Sequence, residues 1–392
     1  MKNISILGST GSIGANTLAV IRHHRDKFRV LALSAGQNIA LLKTQIAEFR
    51  PAVVSVATAE GAEELSRLPD LAGDVEIVYG QEGAVRVATL PDVHLVVSAM
   101  AGSRGLLPTI KAIESGKNIA LANKEALVMA GDAVTKLCRE KKVKIIPVDS
   151  EHSAIYQCLR GNREKDVRRI ILTASGGPFR TVSLADMKRM TPEDALNHPR
   201  WRMGKKVSVD SATMMNKGLE IIEAKWLFQL DFDRIAVHIH PQSIVHSLVE
   251  YRDGSVMAQL GAPDMKIPIA YALSYPHRID VPADTDLDLT GEGKLEFFPV
   301  DHERFPAVSL AYRAGRTGGT LPVVMNGANE KAVEAFLDRR IYFGDIVPLV
   351  EEVMAAHTVL PEPDLNDILQ ADCWARERTE ILIAERIDRC WE

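Results

Sequence analysis

The first 150 or so residues alternate short apolar runs with helix-length stretches that carry polar residues on one face. The apolar runs at 4–7, 29–33, 52–56, 75–79, 94–98, 118–122 and 143–148 predict strands, and 13–24 and 125–140 predict helices between them. Buried strands interleaved with helices specify a parallel, doubly wound sheet. From about 150 to 275 the pattern changes. Residues 169–174 predict a strand, Ser175-Gly176-Gly177-Pro178 a loop, and Thr191-Pro192 a helix start with a capping Thr and a first-turn Pro. A helix is expected over 211–228, because Met214, Met215, Leu219, Ile222 and Trp226 recur at helical spacing. Strands at 235–240, 244–251 and 255–260 follow, with Asp253-Gly254 marking a hairpin between the last two, so this zone reads as antiparallel α+β. Residues 276–300, rich in Pro, Asp and Gly, read as a linker, and the remainder as helices, including 329–338 and 365–387.

Composition narrows the function classes. The chain has 392 residues, and 47 Lys and Arg against 52 Asp and Glu give a net charge of −5. At roughly 150 residues per domain this length allows two or three domains. The mildly acidic balance lacks the electrostatic footprint of a nucleic-acid binder. No apolar run reaches the roughly 20 residues that span a bilayer, so no membrane association is expected. The N-terminus reaches Gly8 too early for a secretory apolar region. The four cysteines, Cys138, Cys158, Cys373 and Cys390, form no C-x-x-C pair, so neither a zinc site nor a disulfide framework is indicated. A cytoplasmic protein is the expectation.

The strongest chemical signal opens the chain. A strand runs into Gly8-Ser9-Thr10-Gly11-Ser12-Ile13-Gly14 and then a helix, the context in which glycines let backbone amides close on a pyrophosphate. A plain tight turn is the alternative. The second strand ends in Ser34-Ala35-Gly36-Gln37-Asn38 with no carboxylate for a ribose 2′-hydroxyl, which favours NADP over NAD. After the strand at 143–148, Asp149 and Glu151 would share one side of an extended segment and suit Mg²⁺ or Mn²⁺ as hard oxygen donors; a solvated loop is the alternative. Asn216, Lys217 and Glu220 fall on one helical flank, against the alternative of a routine solvated face. Ser208 and Ser211 precede them, near a helix start that would welcome phosphate. Lys124, at a strand end, is placed to reach an anion or a polarised carbonyl, or else to begin a surface helix. The polar loop from Asn197 to Gly204 holds Trp201 and reads either as a lid or as a packed loop. His238, His240 and His246 read as core or interface histidines, and Cys138 and Cys158 as buried apolar residues rather than nucleophiles.

Taken in order, Gly8 to Gly14, Ala122-Asn123-Lys124-Glu125-Ala126, Val148-Asp149-Ser150-Glu151-His152-Ser153, Ser175-Gly176-Gly177-Pro178-Phe179, Asn197-His198-Pro199 through Trp201, and Ser208 through Glu220 resemble the motifs of the 1-deoxy-D-xylulose-5-phosphate reductoisomerase family over essentially the whole chain. The resemblance implies an α/β chain: a Rossmann-like NADPH-binding domain (1–149), a central α+β catalytic and dimerisation domain with a flexible flap (150–275), a linker (276–300) and a C-terminal α-helical domain (301–392). It implies a homodimer, and Asp149, Glu151 and Glu220 as ligands of Mg²⁺, Mn²⁺ or Co²⁺. Ser175, Ser211, Asn216 and Lys217 would hold the substrate phosphate. Lys124, Ser150 and Glu151 would contact the substrate backbone, and His198 and Trp201 would lie on the flap. Lys124, Glu151 and His198 are the implied catalytic residues. Thr10, Gly11, Ser12, Ile13, Gly36, Gln37, Asn38, Asn123 and Gly204 would line the NADPH site. Gln37 departs from the pattern, since relatives often carry a basic residue there. The implied reaction, a step of non-mevalonate isoprenoid synthesis, rearranges 1-deoxy-D-xylulose 5-phosphate by a retro-aldol or ketol shift. NADPH then reduces the branched aldehyde to 2-C-methyl-D-erythritol 4-phosphate. A metal-independent, NADP-dependent semialdehyde-type dehydrogenase would need a reactive cysteine. A non-catalytic dinucleotide-sensing protein would have no use for the clustered carboxylates and hydroxyls.

Overall fold

The computed structural model describes residues 1–67, 75–201, 203–281 and 286–390. They form two compact units, one of Met1–Ala126, Val134–Tyr156 and Asp264–Leu287, the other of Leu127–Ala133, Gln157–Pro263 and Asp288–Glu392. These bounds differ from the expected divisions at 149, 275 and 300. Part of the expected linker, 282–285, lies outside the described residues.

The first unit holds a seven-stranded parallel sheet. Its strands are β1 (Lys2–Leu7), β2 (Phe28–Ser34), β3 (Val53–Val56), β4 (Glu76–Tyr79), β5 (Leu95–Ser98), β6 (Asn118–Leu121) and β7 (Ile145–Pro147), in the order β4-β3-β2-β1-β5-β6-β7. Chain order reverses between β1 and β5, and ligands of such sheets sit at the carboxyl ends beside that reversal. Ile4, Ile6, Leu33, Val54 and Val97 are buried in its core. The helix Lys266–Ser274 adds Ile269, Ala270, Ala272 and Leu273 to the same core, and Lys2 Nζ donates to the Leu273 carbonyl at 2.6 Å. Seven of its nine residues are buried, so this stretch folds onto the first sheet rather than with the central α+β domain in which it was expected.

The second unit is built on a five-stranded sheet of β8 (Val167–Ala174), β9 (Ile235–Ile239), β10 (Val245–Tyr251), β11 (Val256–Leu260) and β12 (Phe298–Pro299), in the order β11-β10-β8-β9-β12. The Asp253-Gly254 turn is present, with Gly254 at φ +90°. The sheet is mixed rather than purely antiparallel, because β8 and β9 pair in parallel. Residues 175–234 between them are long enough for the crossover that a parallel pair needs. β12 comes from the expected linker and pairs with β9. Helices Pro306–Thr317, Leu321–Leu337, Ile346–Ala355 and Leu365–Cys390 complete the unit.

The helix expected over 211–228 is instead two helices, Lys205–Thr213 and Met215–Phe228, separated by Met214 at φ +60°. A left-handed non-glycine residue costs about 1–2 kcal/mol. Here the Thr213 hydroxyl accepts from the Met215 amide at 3.2 Å and supplies part of what the break removes.

Candidate active site

In the first unit, the turn after β1 is shaped by close backbone approach. Gly8 has φ +86°, and a Cβ on it would lie 2.5 Å from the Ala99 carbonyl oxygen. A Cβ on Gly14 would come within 2.3 Å of the Gly8 oxygen, so both positions require glycine. The helix Ser12–His23 begins at an extended Gly11 with no side-chain cap, which leaves its first amides to an incoming anion. Gly11 and Ser12 are exposed, and Thr10 and Ile13 half-buried. Gly36, Gln37 and Asn38 lie exposed after β2, where Asn38 Oδ1 caps Leu41 at 3.1 Å. Asn123, after β6, is buried. Its Nδ2 donates to the Gly102 carbonyl and Glu125 Oε2, both at 2.9 Å, while its Oδ1 has no hydrogen-bond partner. Open helix amides and an orphaned buried acceptor fit a dinucleotide carrying a carboxamide ring.

The same unit carries the D-x-E pair, and the local geometry differs from the expected strand. β7 stops at Pro147 and a helix starts at Ser150, so Glu151 stands in a first helical turn with Asp149 just before it. Carboxylates are favoured there by the helix dipole. Lys124 Nζ meets Asp149 Oδ2 at 2.5 Å, and Ser150 Oγ donates to Glu151 Oε2 at 2.5 Å. Lys124 is thus no surface lysine: it is mostly buried and paired with one of the two carboxylates.

In the second unit, Asn216, Lys217 and Glu220 do gather on one flank of Met215–Phe228, and that flank is buried. Asn216 Nδ2 donates to Glu220 Oε1 at 2.5 Å, and Lys217 Nζ pairs with Glu220 Oε2. The Glu220 side chain has 0% exposure and that of Lys217 4%, which removes the solvated-face reading. Ser211 does not stand at the start of this helix. It lies in the last turn of Lys205–Thr213, across the Met214 joint from Asn216. Gly177, at φ +68°, packs on it so closely that a Cβ would lie 2.5 Å from the Ser211 carbonyl.

Ser175, Gly177 and His198 form a further cluster. His198 Nδ1 accepts from the Arg200 and Trp201 amides at 3.2 and 2.9 Å, which places the ring hydrogen on Nε2. Nε2 then donates to Ser175 Oγ at 2.9 Å, and the Gly177 amide donates to the same oxygen at 3.1 Å. With both bonds accepted, the Ser175 O–H is left to donate, as an anion's oxygen requires. Burial lowers the His198 pKa, in keeping with the neutral ring. Trp201 lies over His246 with ring centroids 6.1 Å apart, so residues 197–201 fold back onto the unit. Arg202 lies outside the described residues, and Gly204 caps Lys205–Thr213.

Comparison with known proteins decides the family. Residues 4–131 match 1-deoxy-D-xylulose 5-phosphate reductoisomerase, 145–228 its C-terminal domain, and 260–378 the DXP reductoisomerase C-terminal domain. A reductoisomerase of Chlorobium chlorochromatii is 54% identical over 98% of this chain and 100% of its own length. The chain belongs to the 1-deoxy-D-xylulose 5-phosphate reductoisomerase family. A relative from Geobacter sp. (strain M21) is 56% identical over 96% of this chain and 97% of its own. The Zymomonas mobilis enzyme, solved with NADPH, matches at TM-score 0.90 and 43% identity, over 97% of this chain and 98% of that one. A DOX-P reductoisomerase solved with NADPH, fosmidomycin and magnesium matches at TM-score 0.95 and 42% identity, over 98% of each chain.

Membership in the reductoisomerase family agrees with what the thiols and histidines do here. Burial pushes the Cys138 and Cys158 thiols up to about 11, so neither supplies a thiolate. His240 is a structural residue: its Nδ1 bonds the Glu296 carbonyl at 2.9 Å and its Nε2 accepts from the Ile244 and Val245 amides. Sequence reasoning missed four polar residues that brace the site elements. Gln45 Nε2 holds the Ser9 carbonyl at 2.9 Å. Asp210 is buried and bonded to Asn329. Lys206 and Asp210 carried a legible i, i+4 spacing, whereas Asn329 lies 119 residues from its partner. Among the described residues, no helix is long and apolar enough to cross a membrane.

Proposed function

We propose that this chain converts 1-deoxy-D-xylulose 5-phosphate to 2-C-methyl-D-erythritol 4-phosphate with NADPH and a divalent metal, in isoprenoid precursor synthesis. The observation that carries this reading is the buried Asn216–Lys217–Glu220 flank, an ionic group whose desolvation cost apolar side chains would spare a purely structural helix. Asp149, Glu151 and Glu220 would hold the metal. A set of three carboxylates suits Mg²⁺ or Mn²⁺. When bound, the metal supplies Lewis-acid polarisation of the substrate's neighbouring ketone and hydroxyl oxygens, and the cofactor supplies a hydride.

The chain's own residues divide the remaining work. Ser175, Ser211, Asn216 and Lys217 hold the phosphate, with the Ser175 hydroxyl donating and the Lys217 ammonium supplying charge. Grip on this remote group provides binding energy for closing the flap. His198 and Trp201 then exclude water from the reacting atoms. Lys124 offsets the charge of Asp149 and, with Ser150 and Glu151, orients the substrate backbone. Thr10, Gly11, Ser12 and Ile13 hold the NADPH pyrophosphate, Gly36, Gln37 and Asn38 its ribose phosphate, and Asn123 and Gly204 its nicotinamide end. The three functional parts are cofactor (1–149), catalysis (150–275) and a helical bundle (301–392) after a linker. The chain would act as a homodimer: β11 is a sheet edge with Val256 and Met257 exposed, which suits pairing with a second copy. An exposed free thiol at Cys373 suits the cytoplasm. No observation favours the semialdehyde-type dehydrogenase or the dinucleotide-sensing reading.

Incubation with 1-deoxy-D-xylulose 5-phosphate, NADPH and Mn²⁺, followed by mass spectrometry, should yield 2-C-methyl-D-erythritol 4-phosphate with one NADPH oxidised per product. Absence of that product from folded protein would overturn the reading.

A further inference from the structure

We infer that Asn329 is a positioning residue for phosphate binding: acting through Asp210, it fixes the helix that carries Ser211. This inference rests on the phosphate role proposed above.

Asp210 has 1% exposure and lies in Lys205–Thr213, the helix that joins the flap to Met214. Its Oδ1 accepts from Asn329 Nδ2 at 2.8 Å, and its Oδ2 meets Lys206 Nζ at 2.9 Å. Asn329 has 0% exposure and sits inside Leu321–Leu337, in the C-terminal helical bundle. Two further bonds carry the geometry onward. Thr213 Oγ1 donates to the Asp210 carbonyl at 3.2 Å and accepts from the Met215 amide at 3.2 Å. Asp210 is therefore bonded on one side to the bundle and on the other to the joint that precedes Asn216 and Lys217.

A buried carboxylate bonded to an amide is a poor source of stability, because apolar side chains of the same shape would hold two helices as well or better. The bundle also has its own ties, since Arg376 bridges Glu330 and Asp372 between Leu321–Leu337 and Leu365–Cys390. What the Asp210–Asn329 bond adds is direction. A carboxylate oxygen reaches a single amide only at one rotation of its helix, and that rotation sets where Ser211 stands one residue later. Substrate positioning tolerates little error: a shift of about 1 Å from a distant substitution can cost 10²-fold.

The test uses the full-length chain with Asn329→Ala, which removes the donor, and Asn329→Ser, which keeps a shorter one. Measured for each are kcat, KM for 1-deoxy-D-xylulose 5-phosphate, Ki for inorganic phosphate, Kd for NADPH and Tm. Asn329→Ala is expected to raise KM and the phosphate Ki together by about tenfold or more. NADPH affinity should stay native, and Asn329→Ser should recover most of the loss. A folded Asn329→Ala protein with native KM and phosphate Ki would overturn the inference, and so would equal losses in the Ala and Ser variants. If Asn329→Ala fails to fold, Asn329→Leu, which removes the donor but fills the space, takes its place under the same criteria. Ser211→Ala separates the two levels. If it leaves the phosphate Ki unchanged, the phosphate assignment itself fails; if it raises the Ki while the Asn329 series does not, only the positioning role fails.

Discussion

Glu220→Gln is expected to turn over at least about 10²-fold more slowly than the native chain and to be less stable, while still folding and binding NADPH normally. Glutamine preserves the shape of the side chain but replaces one acceptor oxygen with a donor. The native carboxylate receives hydrogens on both oxygens, from Asn216 on one and Lys217 on the other. The amide therefore faces a donor with a donor, and it loses the charge a divalent cation needs. Circular dichroism, NADPH titration and kcat on the same preparation check the three parts of this expectation. Native turnover would mean that the flank only supports the helix.

Lys217→Met should show its largest effect in stability. Removing one partner of a buried ion pair leaves the other charge without its counterion and costs about 3–5 kcal/mol. Glu220 is that other charge, and its side chain has no exposure. If Glu220 belongs to a metal site, millimolar Mn²⁺ should restore part of the loss, because a ligand bound only by the folded state stabilises it. Urea unfolding in EDTA and in Mn²⁺ measures both halves. A Lys217→Met protein as stable as the native chain in EDTA would contradict the pairing. KM for the phosphorylated substrate should rise in the same variant.

Much of this was legible in the sequence because its causes are local. All seven strands of the first sheet appear within a few residues of the apolar runs, since buried parallel strands must be nearly all apolar. The Asp253-Gly254 hairpin and the Thr191 cap follow from turn and capping chemistry read over four residues. The Asn216–Lys217–Glu220 flank follows from helical spacing alone; its burial does not. The misreadings share a different cause. Met214 carries no glycine or asparagine signal for a left-handed residue, so the break in the helix was invisible. Asp149 and Glu151 were placed by strand alternation, although β7 ends before them. Residues 264–287 and the Asp210–Asn329 bond depend on contacts far apart in sequence, which periodicity cannot see. The residue roles rest on family motifs, and the structure contributes the pairings within each unit.

On the proposed function, Asp149, Glu151 and Glu220 work through a bound divalent cation. NADPH oxidation with 1-deoxy-D-xylulose 5-phosphate should be followed in native protein stripped with EDTA and then supplied with Mn²⁺. No turnover is expected after chelation, with recovery on adding the metal; full turnover in excess EDTA would mean that the carboxylates do not act through a bound cation.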